Sequence, residues 1–377
     1  MIKRLLLWLS YHDWFLIACG SALTIFSLVI LYSLQVNVDQ ESFNPASRQW
    51  VFAVLGIIGF FVLSAVNFRF WADYYKIILI VSAVLLIAVL FIGLKVNGAT
   101  SWFLIFGQRF QPVEIVKLGL IIFLAQFYAL HGHHRHHLTK DLVFAGFFSA
   151  LLVGLVMLQP DFGSAILLFF IWLGMSLFLP LKGKTIAIIF AILLVCGGIF
   201  WQFFLQDYQK NRLLTFVDPG RDPLGSGYNI RQSMVAIGSG HLLGRGLGAG
   251  SQSQLNFLPE QQTDFIFAVI AEELGFVGAG VVLLLLFGML WRLYVIGKKT
   301  QDNFGHFFIL GSMAVMSAQI FVNIGMNMGI APVTGVPLPF MSYGGSSLLS
   351  TWLLLGIANN IYIRSKTALF SGVQENE

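Results

Sequence analysis

The chain alternates between long apolar stretches and short polar connections. Ten apolar runs, near residues 14–35, 49–66, 74–94, 112–130, 142–158, 162–180, 185–204, 264–290, 305–328 and 346–363, have roughly the length a helix needs to cross a hydrocarbon core of ~30 Å. The pattern predicts an all-α, polytopic integral membrane protein of about ten transmembrane helices in a single domain, 1–377. Only one connection is long: a polar loop of about 205–263 between the seventh and eighth runs. The first run is long and lacks a small-residue cleavage site, so it reads as a retained span and not a signal peptide.

Composition agrees. Hydrophobic residues make up 57% of the chain and charged residues 10%, too little polar surface to cover a water-soluble globule of 377 residues. Cys19 and Cys196 both sit inside apolar runs and read as packing residues, with no disulfide framework or zinc spacing. With the N-terminus inside, the inner segments hold Lys3, Arg4, Arg69, Lys76, Arg135, Lys140, Lys182, Lys184, Arg292, Lys298, Lys299, Arg364 and Lys366. The short outer loops hold only Arg48, Lys95 and Arg109. Both termini are therefore expected in the cytoplasm and the 205–263 loop outside it. The net charge of +5 follows from that bias and gives no reason to expect nucleic acid as a partner. The stretch HGHHRHH at 131–137, in an inner turn without acid or thiol, reads as a solvated linker rather than a metal site.

Ionisable residues at membrane depth are costly and mark candidate sites. In QPVEIVK (111–117), Pro112 suits a first helical turn, and Glu114 and Lys117 share one helix face. In QPDFGSA (159–165), a tight turn, Asp161 either caps the sixth span or reaches across to Lys117. The long loop carries Arg212, Arg221, Arg231 and Arg245 among Asp-Pro and Gly-rich turns, a set suited to phosphate groups. Its segment 228–237 places Ile230, Met234 and Ile237 on one face, as a short helix lying on the membrane surface would. Asp264 stands where the loop re-enters the apolar phase, either as a helix cap or as a base facing those cations. Finally, APVTGVPLPFMSYGGSS (331–347) cannot form a continuous helix, yet it is apolar enough for membrane depth. It predicts a re-entrant loop walling the site, with Ser346 and Ser347 starting the last helix.

The strings FGQRFQPVEIVK (106–117), QPDFGSAI (159–166), DPLGSGYNIRQSMVAIGSG (222–240), NFLPEQQTDFIFAVIAEELGF (256–276) and PVTGVPLPFMSYGGSS (332–347) together resemble the SEDS family (shape, elongation, division and sporulation). The QPVE, GYNIRQS and NFLPE forms are closer to its RodA branch than to its FtsW branch. Gln-Gln before Thr263 departs from a pattern that often has His there. The resemblance implies ten spans in the bacterial inner membrane and a peptidoglycan glycosyltransferase that polymerises lipid II during cell elongation. It also implies a class B penicillin-binding protein as partner and a divalent cation, magnesium or manganese, of unassigned site. By the same resemblance, Asp264 is the essential acid, and Glu114, Lys117 and Asp161 support it.

On this reading Asp264 takes the proton of a GlcNAc 4-hydroxyl as that oxygen attacks the anomeric carbon of a second lipid-linked glycan. Inversion there releases undecaprenyl pyrophosphate. Such a leaving group needs charge neutralisation rather than a proton donor, which some of Arg109, Arg212, Arg221, Arg231 and Arg245 would supply; Ser346 and Ser347 are further substrate-binding candidates. A lipid-linked precursor transporter would share the polar cavity and broken helices, but no internal repeat is visible. A non-catalytic scaffold for a penicillin-binding protein would need no acid set against a cationic loop.

Overall fold

The computed structural model describes residues 10–35, 45–203, 206–255 and 257–374, apart from 97, 106, 133–137, 219, 223 and 224. Lys3, Arg4, residues 133–137 of the His-rich stretch, both prolines of the Asp-Pro pairs and the Cys196 side chain lie outside the described residues.

All ten apolar runs fold as helices. In order the elements are α1 (Trp14–Ser33), α2 (Pro45–Ala65), the short α3 (Phe68–Asp73), α4 (Tyr75–Ile92), strands β1 (Leu94–Val96), β2 (Ala99–Ile105) and β3 (Gln108–Phe110), then α5 (Pro112–His131), α6 (Leu138–Met157), α7 (Phe162–Leu177) and α8 (Gly183–Phe203). The polar loop contributes α9 (Asp207–Val217), α10 (Ser226–Ser239) and the single turn α11 (Ser251–Gln254), and α12 (Ile266–Lys299), α13 (Asn303–Asn327) and α14 (Gly345–Gln374) complete the chain. Among the described residues, eight helices are long and apolar enough to cross a membrane: α1, α2, α4, α5, α6, α12, α13 and α14. The sixth and seventh predicted spans are α7, of 16 residues, and α8, whose stretch Gly183–Ile192 is apolar. The chain is thus a multi-pass membrane protein.

Helix starts follow local chemistry. Asp13 accepts from Leu16 N at 3.2 Å, Asp302 from Gly305 N at 3.0 Å and Asn67 from Arg69 N at 3.1 Å, while Pro112 occupies the first turn of α5. The centre of the bundle is built on close approach. α14 lies along α2, and the fully buried Trp352 ring packs on Gly20 of α1 and Gly56 of α2, where a Cβ would stand 2.8 and 2.7 Å from ring carbons. Small residues let helices approach this closely in lipid, where apolar burial alone does not drive them together. At one end of the bundle, Arg292 Nε meets the buried Asp13 carboxylate at 2.6 Å, and Asn359 and Asn360 bond Ser64.

The other end carries the irregular chain. Strands β1 to β3 form an antiparallel meander between α4 and α5 that the apolar-run reading passes over. Its signals are Asn97-Gly98 and Phe106-Gly107 between alternating residues; Gly98 and Gly107 have φ of 86° and 75°. α10 differs from the expected surface helix. Ile230, Ser233 and Ala236 are buried against the bundle, Met234 is 43% exposed, and Ser233 Oγ donates to Asn327 O at 2.8 Å.

α12 breaks at Gly275, with φ 67° and ψ −164°. The break receives the loop after α10: Phe276 N donates to His241 O at 2.9 Å and Val277 N to Leu242 O at 3.1 Å. In the other direction, Arg245 N and Gly246 N donate to Glu272 O and Glu273 O at 3.0 and 2.9 Å. The two fully buried carboxylates complete the join. Glu272 accepts from Gln252 N (2.8 Å) and Ser253 N (3.0 Å), and Glu273 from Ser33 Oγ (2.6 Å) and Gly248 N (3.2 Å). A Cβ at position 275 would strike Gly244 N, in a conformation that only glycine adopts readily. Gly275→Ala should therefore destabilise the protein by on the order of 2–3 kcal/mol, seen as a lowered thermal midpoint in detergent.

Candidate active site

Asp264 lies in a turn two residues ahead of α12, whose N-cap, Phe265, makes no side-chain cap. The turn is held by its main chain. Asp264 N donates to Glu260 O at 3.0 Å, and Asp264 O accepts from Asn323 Nδ2 and Asn327 Nδ2, each at 3.0 Å. Both asparagines are fully buried and one turn apart on α13. Asn323 also donates to Val336 O at 2.8 Å, and Asn327 Oδ1 accepts from Ala268 N at 3.1 Å. The half-buried carboxylate is left for chemistry. Its pKa is pushed up to about 6, first by desolvation and then by Glu260, against the pull of Arg212 and the Thr263 hydroxyl, with a smaller upward push from Asp161.

The proline-bearing part of the walling segment, 331–344, runs without helix between α13 and α14, and Ser346 and Ser347 lie in the first turn of α14. Ser342 Oγ donates to Thr263 O at 2.6 Å, Tyr343 N to Gln262 O at 2.8 Å, and Gly335 faces the Asp264 carboxylate. On its other side, Gly163 of α7 abuts Thr334 O.

Asp161 is the cap of α7. It accepts from Ser164 N at 3.0 Å, Ser164 Oγ at 2.8 Å and Gln111 Nε2 at 2.9 Å, and burial raises its pKa against those bonds. Lys117 turns to Glu114 instead, at 2.8 and 2.9 Å, and Ser350 Oγ donates to Glu114 Oε2 at 2.8 Å. Gln111 ties the Asp161 group to the start of α14, since its backbone N donates to Ser346 Oγ at 3.0 Å. The three predicted supporting residues thus form adjoining polar knots that fix α5, α7 and α14 behind the site.

The predicted arginines part company. The charge of Arg212 favours the ionised form of Asp264. Arg109 on β3 acts instead on Tyr343. Arg221 is exposed, 4.0 Å from Asp218. Arg231 Nε reaches Gly227 O at 3.4 Å, and the exposed Arg245 bonds Ser239 O and Ser251 Oγ at 3.3 and 3.1 Å. Ser346 is taken up by Gln111 and Ser347 O by Ser350 and Thr351, all within the start of α14. Among the described residues no three His, Cys, Asp or Glu side chains gather in one place. Asn323 and Asn327 are residues that the sequence reading passed over, and Arg48 is one that it placed only in an outer loop. Two amides one turn apart in an apolar span were the available signal for the first two.

A family model described as cell cycle protein, FtsW/RodA/SpoVE, matches residues 13–367. The chain is 36% identical over 358 residues to stage V sporulation protein E of Bacillus subtilis, covering 93% of this chain and 96% of that one. It is 36% identical over 348 residues to the peptidoglycan glycosyltransferase MrdB of Escherichia coli K12, covering 92% of each. A solved chain from a peptidoglycan synthase complex that coordinates polymerization and crosslinking aligns over 94% of this chain and 98% of its own length, with TM-score 0.79 and 30% identity.

The buried Glu114–Lys117 pair gives a direct test of the supporting role. Lys117→Met strands the Glu114 charge and should cost about 3–5 kcal/mol of stability. Adding Glu114→Gln should recover most of that loss in thermal unfolding.

Proposed function

Because this chain belongs to the FtsW/RodA/SpoVE family of cell cycle proteins, we propose that it is a peptidoglycan glycosyltransferase whose general base is Asp264. The observation that carries this is the state of that carboxylate. It is half-buried, spent on no helix cap, raised to about 6 and within the field of Arg212. A base works best when its pKa lies near the working pH.

Asp264 removes the proton from the GlcNAc 4-hydroxyl of one lipid II molecule as the oxygen attacks the anomeric carbon of the second. The new C–O bond forms with inversion, the old anomeric C–O bond breaks, and its electrons leave on undecaprenyl pyrophosphate. Arg212 offsets the charge that grows on that leaving group. Asn323 and Asn327 fix the peptide carrying the base, and the Asp161, Glu114 and Lys117 groups fix the helices around it.

The same reading places ten spans in the bacterial inner membrane, both termini in the cytoplasm, and α9 to α11 on the outer face. The excess of Lys and Arg in alternate connections supports it. Likeness to MrdB and to a chain of a synthase complex that joins polymerization to crosslinking supports a class B penicillin-binding protein as partner.

Glycan synthesis from purified lipid II in detergent tests the base. Since the carboxylate must be ionised to act, the rate should be level well above pH 6 and fall toward tenfold per unit below it, following the pKa of about 6. Asp264→Asn should reduce synthesis by at least about 10²–10⁴-fold at every pH. It should not lower the thermal midpoint, because the site disfavours the charge and Asp264's tertiary bonds are made by its main chain. Product from Asp264→Asn equal to wild type would remove Asp264 from the mechanism.

A further inference from the structure

The reaction proposed above brings together two molecules that each carry a pyrophosphate, and Arg212 can serve only one of them. On that reading, we propose that Arg48, Arg109 and Tyr343 form a second pyrophosphate site, which holds the acceptor substrate whose pyrophosphate is retained.

The residues come from three remote parts of the chain and are fixed from both sides. Arg48 stands in the first turn of α2, and its neighbour Gln49, fully buried, grips the wall: Gln49 Nε2 donates to Ser342 O at 3.2 Å, and Gly344 N donates to Gln49 Oε1 at 3.2 Å. Arg109 lies on β3, whose exit is pinned where Gln111 N meets Ser346 Oγ. Between them is the half-buried Tyr343, hydrogen-bonded to Arg48 and within the field of Arg109; burial raises its phenol pKa while the two guanidiniums pull it down. One guanidinium bonded to the phenol and a second in its field, the first in the opening turn of a helix, gather positive charge at one place. The same set suits a polyanion, which each guanidinium binds through paired N–H groups, the α2 N-terminus favours and the phenol completes.

The position fits as well. Tyr343 N bonds Gln262 O, and Ser342 Oγ bonds Thr263 O, so the cluster is tied to the two residues ahead of Asp264. An acceptor held there by its pyrophosphate would present its sugar hydroxyl along the wall to the base.

The two roles predict different kinetics. A retained pyrophosphate carries the same charge before and during transfer, so its contacts lower KM and leave kcat alone. Contacts to a departing pyrophosphate strengthen in the transition state and raise kcat. The full chain in detergent would be given two analogues. The donor-only lipid II lacks the GlcNAc 4-hydroxyl. The acceptor-only analogue has the anomeric oxygen replaced by methylene, which cannot leave. Arg48→Gln and Arg109→Gln should each raise KM for the acceptor-only analogue about 10- to 100-fold, the scale of one charged hydrogen-bond set, with kcat and donor KM within about twofold. Tyr343→Phe should raise it less, and Arg48→Lys, which keeps the charge, should recover part of the loss where misfolding would recover none. A fall in kcat with acceptor KM unchanged would assign these arginines to the leaving group and overturn the proposal, as would no change in either.

A binding arm separates this from the identity of the base. In an Asp264→Asn background saturated with donor-only substrate, adding Arg48→Gln should weaken binding of the acceptor-only analogue by the same factor. Equal binding with and without Arg48 would overturn the proposal whatever Asp264 does.

Discussion

Asn323 and Asn327 hold one carbonyl oxygen between them, and the reactive end of the molecule is assembled on that contact. The oxygen is that of Asp264. The same two amides reach Val336 O in the wall and Ala268 N at the head of α12. In a hydrocarbon setting an irregular backbone survives only if its polar groups find partners inside the protein. Here a turn and a proline-rich segment, neither able to satisfy itself by helix bonds, meet on the side chains of a regular helix. The Asp264 carboxylate stays out of these bonds because its peptide does the anchoring.

The two ends of the bundle divide the labour. Asp13, Arg292, Asn359, Asn360 and Ser64 tie α1, α2, α12 and α14 at one end with side chains that have no chemistry left over. At the other, Glu114–Lys117 and Asp161–Ser164 satisfy one another, while burial still raises the pKa of Asp264. Packing of Trp352 on two glycines keeps the helices between these ends close enough for such short side chains to meet.

Much of this was legible in the sequence because it is local. The spans follow from apolar length, the Glu114–Lys117 pair from a three-residue spacing, the Asp161 cap from its place before Phe162, and the wall from three prolines and a Tyr-Gly-Gly. Whether Asp264 caps α12 was not local, because it depends on where α12 begins, and the turn ahead of it is held by asparagines about sixty residues away. For the same reason the five arginines looked alike in sequence. The structure distinguishes them by surroundings: Arg212 is in the field of Asp264 and Arg109 in that of Tyr343, while Arg221, Arg231 and Arg245 have partners in their own segments. The meander of β1 to β3 was missed because its strands are short and sit between two spans, although Asn97-Gly98 was there to be read.

The broken helix has a mechanical meaning. At Gly275 the loop from His241 to Gln254 is stitched into α12 by main-chain bonds and by two carboxylates that have no water to fall back on. α10 is joined to Asn327 through Ser233, and Asn327 to Asp264. Loop, α10 and the Asp264 turn are therefore one continuous hydrogen-bonded strut, so the exposed loop edge and the Asp264 peptide share a single chain of contacts.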